Sequence, residues 1–287
     1  MMTLVKRHLL VFLRDRWSVF FSFLSVIIII LLYALFLMEM LKGYFPEGMQ
    51  GTDAANYVLY GWLLSGVLMV ATVTVPLGFL GVMIHDRTEF ISNDLFVAPI
   101  RRLTITLSYL IAAFVVSFIL GIMNLLVGQL ILYLNTSELL PFMAFVRILL
   151  VVALSSALFT SMLYVLVSMI NSLNAHGTLS SIIGTLIGFV CGIYVPIGVF
   201  GNTIQTGLNA LPFMQMSALY RKIYMDEALD QLFTGAADAR ASYESFYGID
   251  IELFNTSLSA PTLTLMLVGW TLLFVLVSAW RVKSFKT

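Results

Sequence analysis

Long uncharged runs alternate along the chain with short charged ones, and their lengths predict membrane-crossing helices. A crossing helix needs about 20 apolar residues. Trp17 to Met38 is the first such run, closed by Glu39. Tyr57 to Ile84 is the second, with Pro76 inside it, so a kinked helix is expected. Leu103 to Leu134 is the third. From Ile148 to Tyr220 there is no Asp, Glu, Lys or Arg. The polar turn 171–177, NSLNAHG, divides that stretch. It gives a fourth span ending near Ile170 and a fifth starting near Thr178 and closed by Pro196. A mixed segment, 201–260, precedes a sixth span, Thr262 to Trp280.

Residues 3–17 have another period. Val5, Leu9, Phe12 and Leu13 share one helical face, with Lys6, Arg7 and Arg14 opposite. That pattern predicts a helix lying in the membrane interface, with Trp17 at the headgroup level where the first span begins. The run that follows is too long for a signal peptide and lacks a small-residue cleavage site, so it reads as a retained span.

Composition sharpens the class. The 287 residues are 60% hydrophobic and 10% charged, with mean hydropathy +1.00. A soluble domain carries about a quarter charged residues, so this chain needs lipid as part of its solvent. The net charge of zero argues against nucleic acid as a partner, since that affinity rests on basic excess. The zero conceals a sidedness. Lys6, Arg7, Arg14 and Arg16, then Arg87, Arg101 and Arg102, then Arg281, Lys283 and Lys286 fall on one side of a six-span topology. The other side has Lys42, Arg147, Arg221, Lys222 and Arg240, and most of the acids. Both termini and the 85–102 loop are therefore expected in the cytoplasm.

Several chemistries lack their residues. No lysine follows a glycine, so there is no phosphate-binding loop for ATP. His8, His85 and His176 are far apart in sequence, and Cys191 is the single cysteine, so no metal site is expected. No serine lies in a Gly-x-Ser-x-Gly turn, and no span has an acid or base near its middle, as ion-coupled carriers usually need. Glu39, at a span's outer end, reads as a solvated charge.

Between the second and third spans, HDRTEFISNDLFVAPIRR (85–102) weaves Phe90, Ile91, Leu95, Phe96, Val97 and Ile100 among its charges. A charged segment with an apolar face suits docking onto a soluble partner. Glu89, then Ser92-Asn93-Asp94, then Leu95 through Pro99 to Arg101 and Arg102 resemble the loop of ABC-2-type exporter permeases, although Ile91 stands where that family often has glycine. Pro196, Ile204-Gln205, Leu208-Asn209-Ala210-Leu211-Pro212 and Arg221 are similar to the family's segment after the fifth span, with extra residues between Asn209 and Pro212.

The resemblance implies an all-α membrane protein, one transmembrane domain over 1–287. It would have an interfacial helix (3–17), six spans, a coupling loop (85–102) and a partly re-entrant extracellular segment (201–260). It implies two permease copies, identical or homologous, in a bacterial plasma membrane. They would pair with two ATPase subunits that hold the ATP and Mg; the chain itself would have no cofactor and no enzymatic site. The docking residues would be Glu89, Asp94, Leu95, Phe96, Pro99, Arg101 and Arg102. Val5, Leu9, Phe12, Arg14 and Arg16 would form the interfacial helix. Ser180, Gly184, Gly188 and Gly192 repeat every four residues and share a helical face with Cys191, a pattern that lets helices approach closely, across a dimer seam or within one subunit. The apolar spans favour a hydrophobic or amphipathic cargo (drug, natural product, peptide or lipid) exported from the cytoplasm. A polysaccharide exporter and a membrane-embedded lipid-modifying enzyme are the alternatives.

Overall fold

A computed structural model describes residues 1–33, 35, 52–253 and 256–284. Helices α1 (Met2–Arg14) and α2 (Arg16–Leu32) meet at Asp15. The long α3 (Asp53–Phe79) continues into α4 (Gly81–Thr88), and α5 (Ile91–Val97) lies between α4 and α6 (Arg102–Thr136). Then come α7 (Phe142–Val167), α8 (Leu173–Val190), α9 (Asn202–Asn209), α10 (Pro212–Leu232) and α11 (Ala237–Tyr247). A two-residue antiparallel pair, β1 (Glu252–Leu253) and β2 (Thr256–Ser257), precedes α12 (Ala260–Ser284).

Among the described residues, five helices are long and apolar enough to cross a membrane: Asp53–Thr88, Arg102–Thr136, Phe142–Val167, Leu173–Val190 and Ala260–Arg281. The expected first span, Trp17–Met38, runs past Leu35 outside the described residues, as do Glu39 and Lys42. Three spans differ in their bounds from the sequence pattern. The second span breaks at Leu80, four residues beyond Pro76. The fourth begins at Phe142 because Arg147, a charge the pattern treats as a boundary, lies exposed on its helix. The fifth begins at Leu173, capped by the Ser172 hydroxyl accepting from the Ala175 amide at 3.2 Å, and ends at Val190.

Helix α3 is the axle of the bundle. Its residues are buried on every face, from Val58 and Trp62 through Val73 and Phe79, as expected of a helix apolar all round. Helices α2, α6, α7, α8 and α10 pack against it. Small residues bring helices close: a Cβ on Gly121 would lie 2.6 Å from Val152 Cγ1, so α6 and α7 meet there without room for a side chain. Tyr33, just past α2, donates to the Leu59 carbonyl at 2.7 Å, and His176 Nε2 lies 3.1 Å from the Leu77 carbonyl, in the last turn of α3 where helical partners run out.

Helix α10 enters the bundle from the end bearing Phe142. Phe213 stacks on Phe159 with ring centres 5.2 Å apart, and Tyr220 is 2.7 Å from the Ser155 hydroxyl. Phe159 is the eighteenth residue of α7, roughly 26 Å along it at 1.5 Å per residue. Pro212 sits at N1 of α10, where its missing N–H costs nothing. Gln215 donates to the carbonyls of Asn209 and Ala210, closing the end of α9.

Arg221 fixes α10 in place. It is fully buried and gives hydrogen bonds to four carbonyls: Cys191 (2.8 Å) and Gly192 (2.8 Å) past the end of α8, and Tyr247 (2.9 Å) and Gly248 (3.3 Å) at the end of α11. Gly192 and Gly248 both have positive φ, which turns each chain end so that its carbonyls face the guanidinium. Two helix C-termini, each with partial negative charge, thus surround one cation. Trp62 lies 5.3 Å away. Arg221→Leu would strip three buried carbonyls of their donor, the Cys191 carbonyl keeping the Ser217 hydroxyl, and should destabilise the chain by more than about 3 kcal/mol. The thermal unfolding midpoint of the purified protein reads this; an unchanged midpoint would remove Arg221 from its structural role.

Candidate functional site

The loop between α4 and α6 lies at the opposite end of the bundle and is built by two local breaks. Phe90 adopts a left-handed conformation (φ 60), uncommon outside glycine, and turns the chain out of α4 into α5. Pro99 then bars continuation of α5, and Arg101 precedes α6 in an extended conformation. In the resulting seven-residue helix, Val97 is 87% exposed and Phe90, before it, 71% exposed. Glu89, Asp94, Pro99, Arg101 and Arg102 are exposed. Leu95 is different: it is half-buried and packs against the core. The outward apolar groups are Phe90 and Val97, and Leu95 belongs to the inward face. Phe96 lies within α5.

Beneath this loop, α1, α4 and α6 are joined by a buried polar cluster. Asp86 accepts both Arg7 terminal nitrogens, at 2.6 and 2.7 Å, and the Tyr109 hydroxyl at 2.5 Å. Such a two-pronged pairing is the strongest arrangement open to a carboxylate. His8 stacks on Tyr109 with ring centres 3.9 Å apart. Its Nδ1 lies 3.1 Å from Arg7 Nη1, which can only donate, so Nδ1 accepts and Nε2 carries the proton. Nε2 then donates to Ser108 Oγ at 3.1 Å, which in turn donates to the Ile105 carbonyl at 2.6 Å. Burial, then the charge of Arg7, lower the His8 pKa to about 4, with Asp86 opposing. Arg87, next to Asp86, clamps the end of α7 by donating to the carbonyls of Ser168 (3.1 Å) and Ile170 (2.8 Å).

This cluster corrects the expected α1 face. Val5, His8 and Phe12 are its buried residues and Leu9 is half-buried, while Leu13, placed on the inward face by the apolar pattern, is 57% exposed. Arg7, expected opposite the apolar face, turns inward to Asp86. Arg14 and Arg16 are exposed, and Arg16 opens α2 instead of closing α1. The sequence carried one usable signal: His8 is three residues from Val5 and four from Phe12, on their face.

The expected small-residue stripe divides. Ser180 and Gly184 lie on α8, and a Cβ on Gly184 would meet nothing within 4 Å. Gly188 faces its own subunit, where a Cβ would lie 2.2 Å from the Tyr194 ring. Cys191 caps the helix and is fully buried, and Gly192 lies beyond it with φ +63. A helical register therefore does not carry Cys191 and Gly192 onto the Gly184 face.

The cluster has a graded sensitivity. Arg7→Gln leaves the buried Asp86 without its cation and should cost about 3–5 kcal/mol. Asp86→Asn leaves only the half-exposed Arg7 unpaired and should cost less. Unfolding midpoints of the two variants measure the order, and the reverse order would contradict this assignment. Because the His8 pKa is lowered, the unfolded chain takes up the extra proton between pH 6.5 and about 4. The stabilising contribution of neutral His8 is complete above pH 6.5 and is lost as pH falls towards 4, by at most about 1.4 kcal/mol per pH unit. His8→Gln should flatten that part of a stability–pH profile; an unaltered slope would place the titration elsewhere.

Among the described residues, no group of three His, Cys, Asp or Glu side chains is placed to hold a metal ion. No curated protein matches the chain. Residues 1–225, spanning the α1 cluster, the α4–α6 loop and Arg221, match the family described as ABC-2 type transporter; the chain belongs to that family of ABC-transporter membrane permeases.

Proposed function

We propose that this chain is the membrane permease of an ATP-driven exporter, working as one of two permease copies with two separate ATPase subunits. The observation that carries the reading is the exposed α5 loop, with Phe90 and Val97 outward among charges, set directly on the Arg7–Asp86–Tyr109 cluster. The ATPase docks on α5 from the cytoplasm, where both termini also lie. ATP closes the ATPase pair, α5 moves with it, and the ion pair passes the movement to α1 and to the ends of the second and third spans. The docked contacts have to differ between the two states for ATP to shift the equilibrium. Helix α10 is the re-entrant element on the extracellular side, supported by its Phe213–Phe159 and Tyr220–Ser155 contacts deep along α7. The cargo is hydrophobic or amphipathic, in keeping with the neutral polar groups, such as Asn124 and Ser155, that lie in the middle of the described spans.

Against the lipid-modifying alternative, His8 donates to the Ser108 hydroxyl instead of accepting its proton, so this serine–histidine contact offers no general base. Of the three histidines, His8 and His176 are occupied in holding helices together. Pairing of two copies is assigned to the face of α8 at Gly184, where an added Cβ would meet nothing of this chain within 4 Å.

Two experiments test this. Phe90→Asn with Val97→Asp removes the outward apolar groups while keeping a residue that tolerates positive φ at 90. Loss of the co-purifying ATPase with normal membrane insertion is expected, and undiminished co-purification would refute docking on α5. Gly184→Cys should crosslink two copies under oxidation, since a disulfide needs Cα atoms within about 7 Å, whereas the buried native Cys191 should not. An active complex without the Gly184→Cys crosslink moves the seam to another face.

A further inference from the structure

Behind α5 a cavity of about 310 Å³ opens between the loop and the bundle. Met83, Leu95 and Ile105 supply apolar walls, and Arg87 and Arg102 supply two positive charges; the lining includes no aspartate or glutamate. Among its other polar side chains, Tyr164 donates to Thr106 at 2.9 Å and Tyr109 donates to Asp86 at 2.5 Å. The guanidiniums are donors only. A ligand that satisfies this set has acceptor oxygens with negative charge at one end and an apolar portion at the other. A mostly apolar pocket with a few convergent polar groups is the usual form of a small-molecule site.

The surroundings say where such a ligand comes from. Beside Arg102 in the chain, Leu103 is 43% exposed, and Met169, between the two carbonyls that Arg87 grips, is 63% exposed. These apolar residues stand at the ends of α6 and α7 and offer acyl chains a surface. Basic pockets between crossing helices on the cytoplasmic side are the sequence-readable form of acidic-lipid recognition.

We propose that this cavity binds the phosphate of an acidic phospholipid, held by Arg87 and Arg102, with its acyl chains along the α6–α7 surface. The choice of the cytoplasmic leaflet rests on the sidedness proposed above; the binding itself does not. The cavity lies between α5, through Ser92 and Leu95, and the ends of the spans, through Arg102 and Tyr164. A bound headgroup therefore joins the docking helix to the bundle, a second link beside the Arg7–Asp86 pair.

The test uses the purified full-length chain in phosphatidylcholine nanodiscs with increasing phosphatidylglycerol, and counts retained lipid by native mass spectrometry. One phosphatidylglycerol per chain should be retained in preference to phosphatidylcholine. Arg102→Gln, at an exposed position, should weaken retention by about ten-fold, the worth of one charge-assisted contact. Ser92→Phe should weaken it by filling space without altering charge. Arg87 is left intact because it also secures the end of α7. Equal retention of the two lipids, or retention indifferent to both substitutions, overturns the proposal. Displacement of the lipid by millimolar inorganic phosphate, as readily as by phosphatidylglycerol vesicles, would make the cavity a free-anion site and overturn the lipid assignment. None of these readings requires an ATPase, so they stand or fall separately from the exporter reading.

Discussion

A carboxylate withdrawn from water at the end of a membrane-crossing helix has to be answered by charge and hydrogen bonds, and Asp86 sets that requirement for one whole end of this protein. It is buried, and its oxygens receive Arg7 twice and Tyr109 once. Each partner comes from a different helix, so satisfying one carboxylate fixes α1 and α6 relative to α4. His8 follows from the same demand: with Arg7 committed to Asp86, the imidazole beside it is favoured neutral and is held by Ser108. The α5 loop is anchored at both ends on helices that this cluster ties together. A push on α5 therefore meets a braced support instead of a hinge.

The other end of the bundle answers the inverse problem. Arg221 is a buried cation and is met by the carbonyl ends of α8 and α11. The four acceptors come from two chain ends, and the Cys191 carbonyl among them has a second side-chain donor, Ser217. Removing water from both polar sites raises the cost of a missing partner, so each is stable only as a complete set. Nearer the surface, Arg240 pairs with Asp226, Asp230 and Glu244, where solvent shares the load and each pair is worth little.

Membrane-crossing helices were legible in the sequence because hydrocarbon thickness imposes a length and an absence of charge that any reading can count. The third and sixth runs fall within a few residues of their helices. Boundaries failed where a charge lies on a helix, as at Arg147, or where polar residues continue one, as at Leu173–Gly177. The position of the α5 loop was legible from its mixture of charges and apolar groups, but its facing was not. The turn at Phe90 depends on a left-handed backbone that no residue-type preference for phenylalanine announces, and it decides that Val97 points out while Leu95 points in. The Asp86 cluster was illegible because its members lie about 80 residues apart, from Arg7 to Asp86, and periodicity sees only neighbours on one helix. Cys191 and Gly192 were misplaced for a related reason: the four-residue repeat continues in the sequence beyond the point where α8 ends.

Hydrogen–deuterium exchange on the permease assembled with its ATPase, with and without a non-hydrolysable ATP analogue, tests the central claim most directly. If the ATPase acts through α5 and the Asp86 cluster, nucleotide should change protection in α4–α5 and in α1 together, and Asp86→Asn should confine the change to α5. A nucleotide response that reaches the spans while α1 and α4 stay unaltered in the wild-type complex would contradict the account.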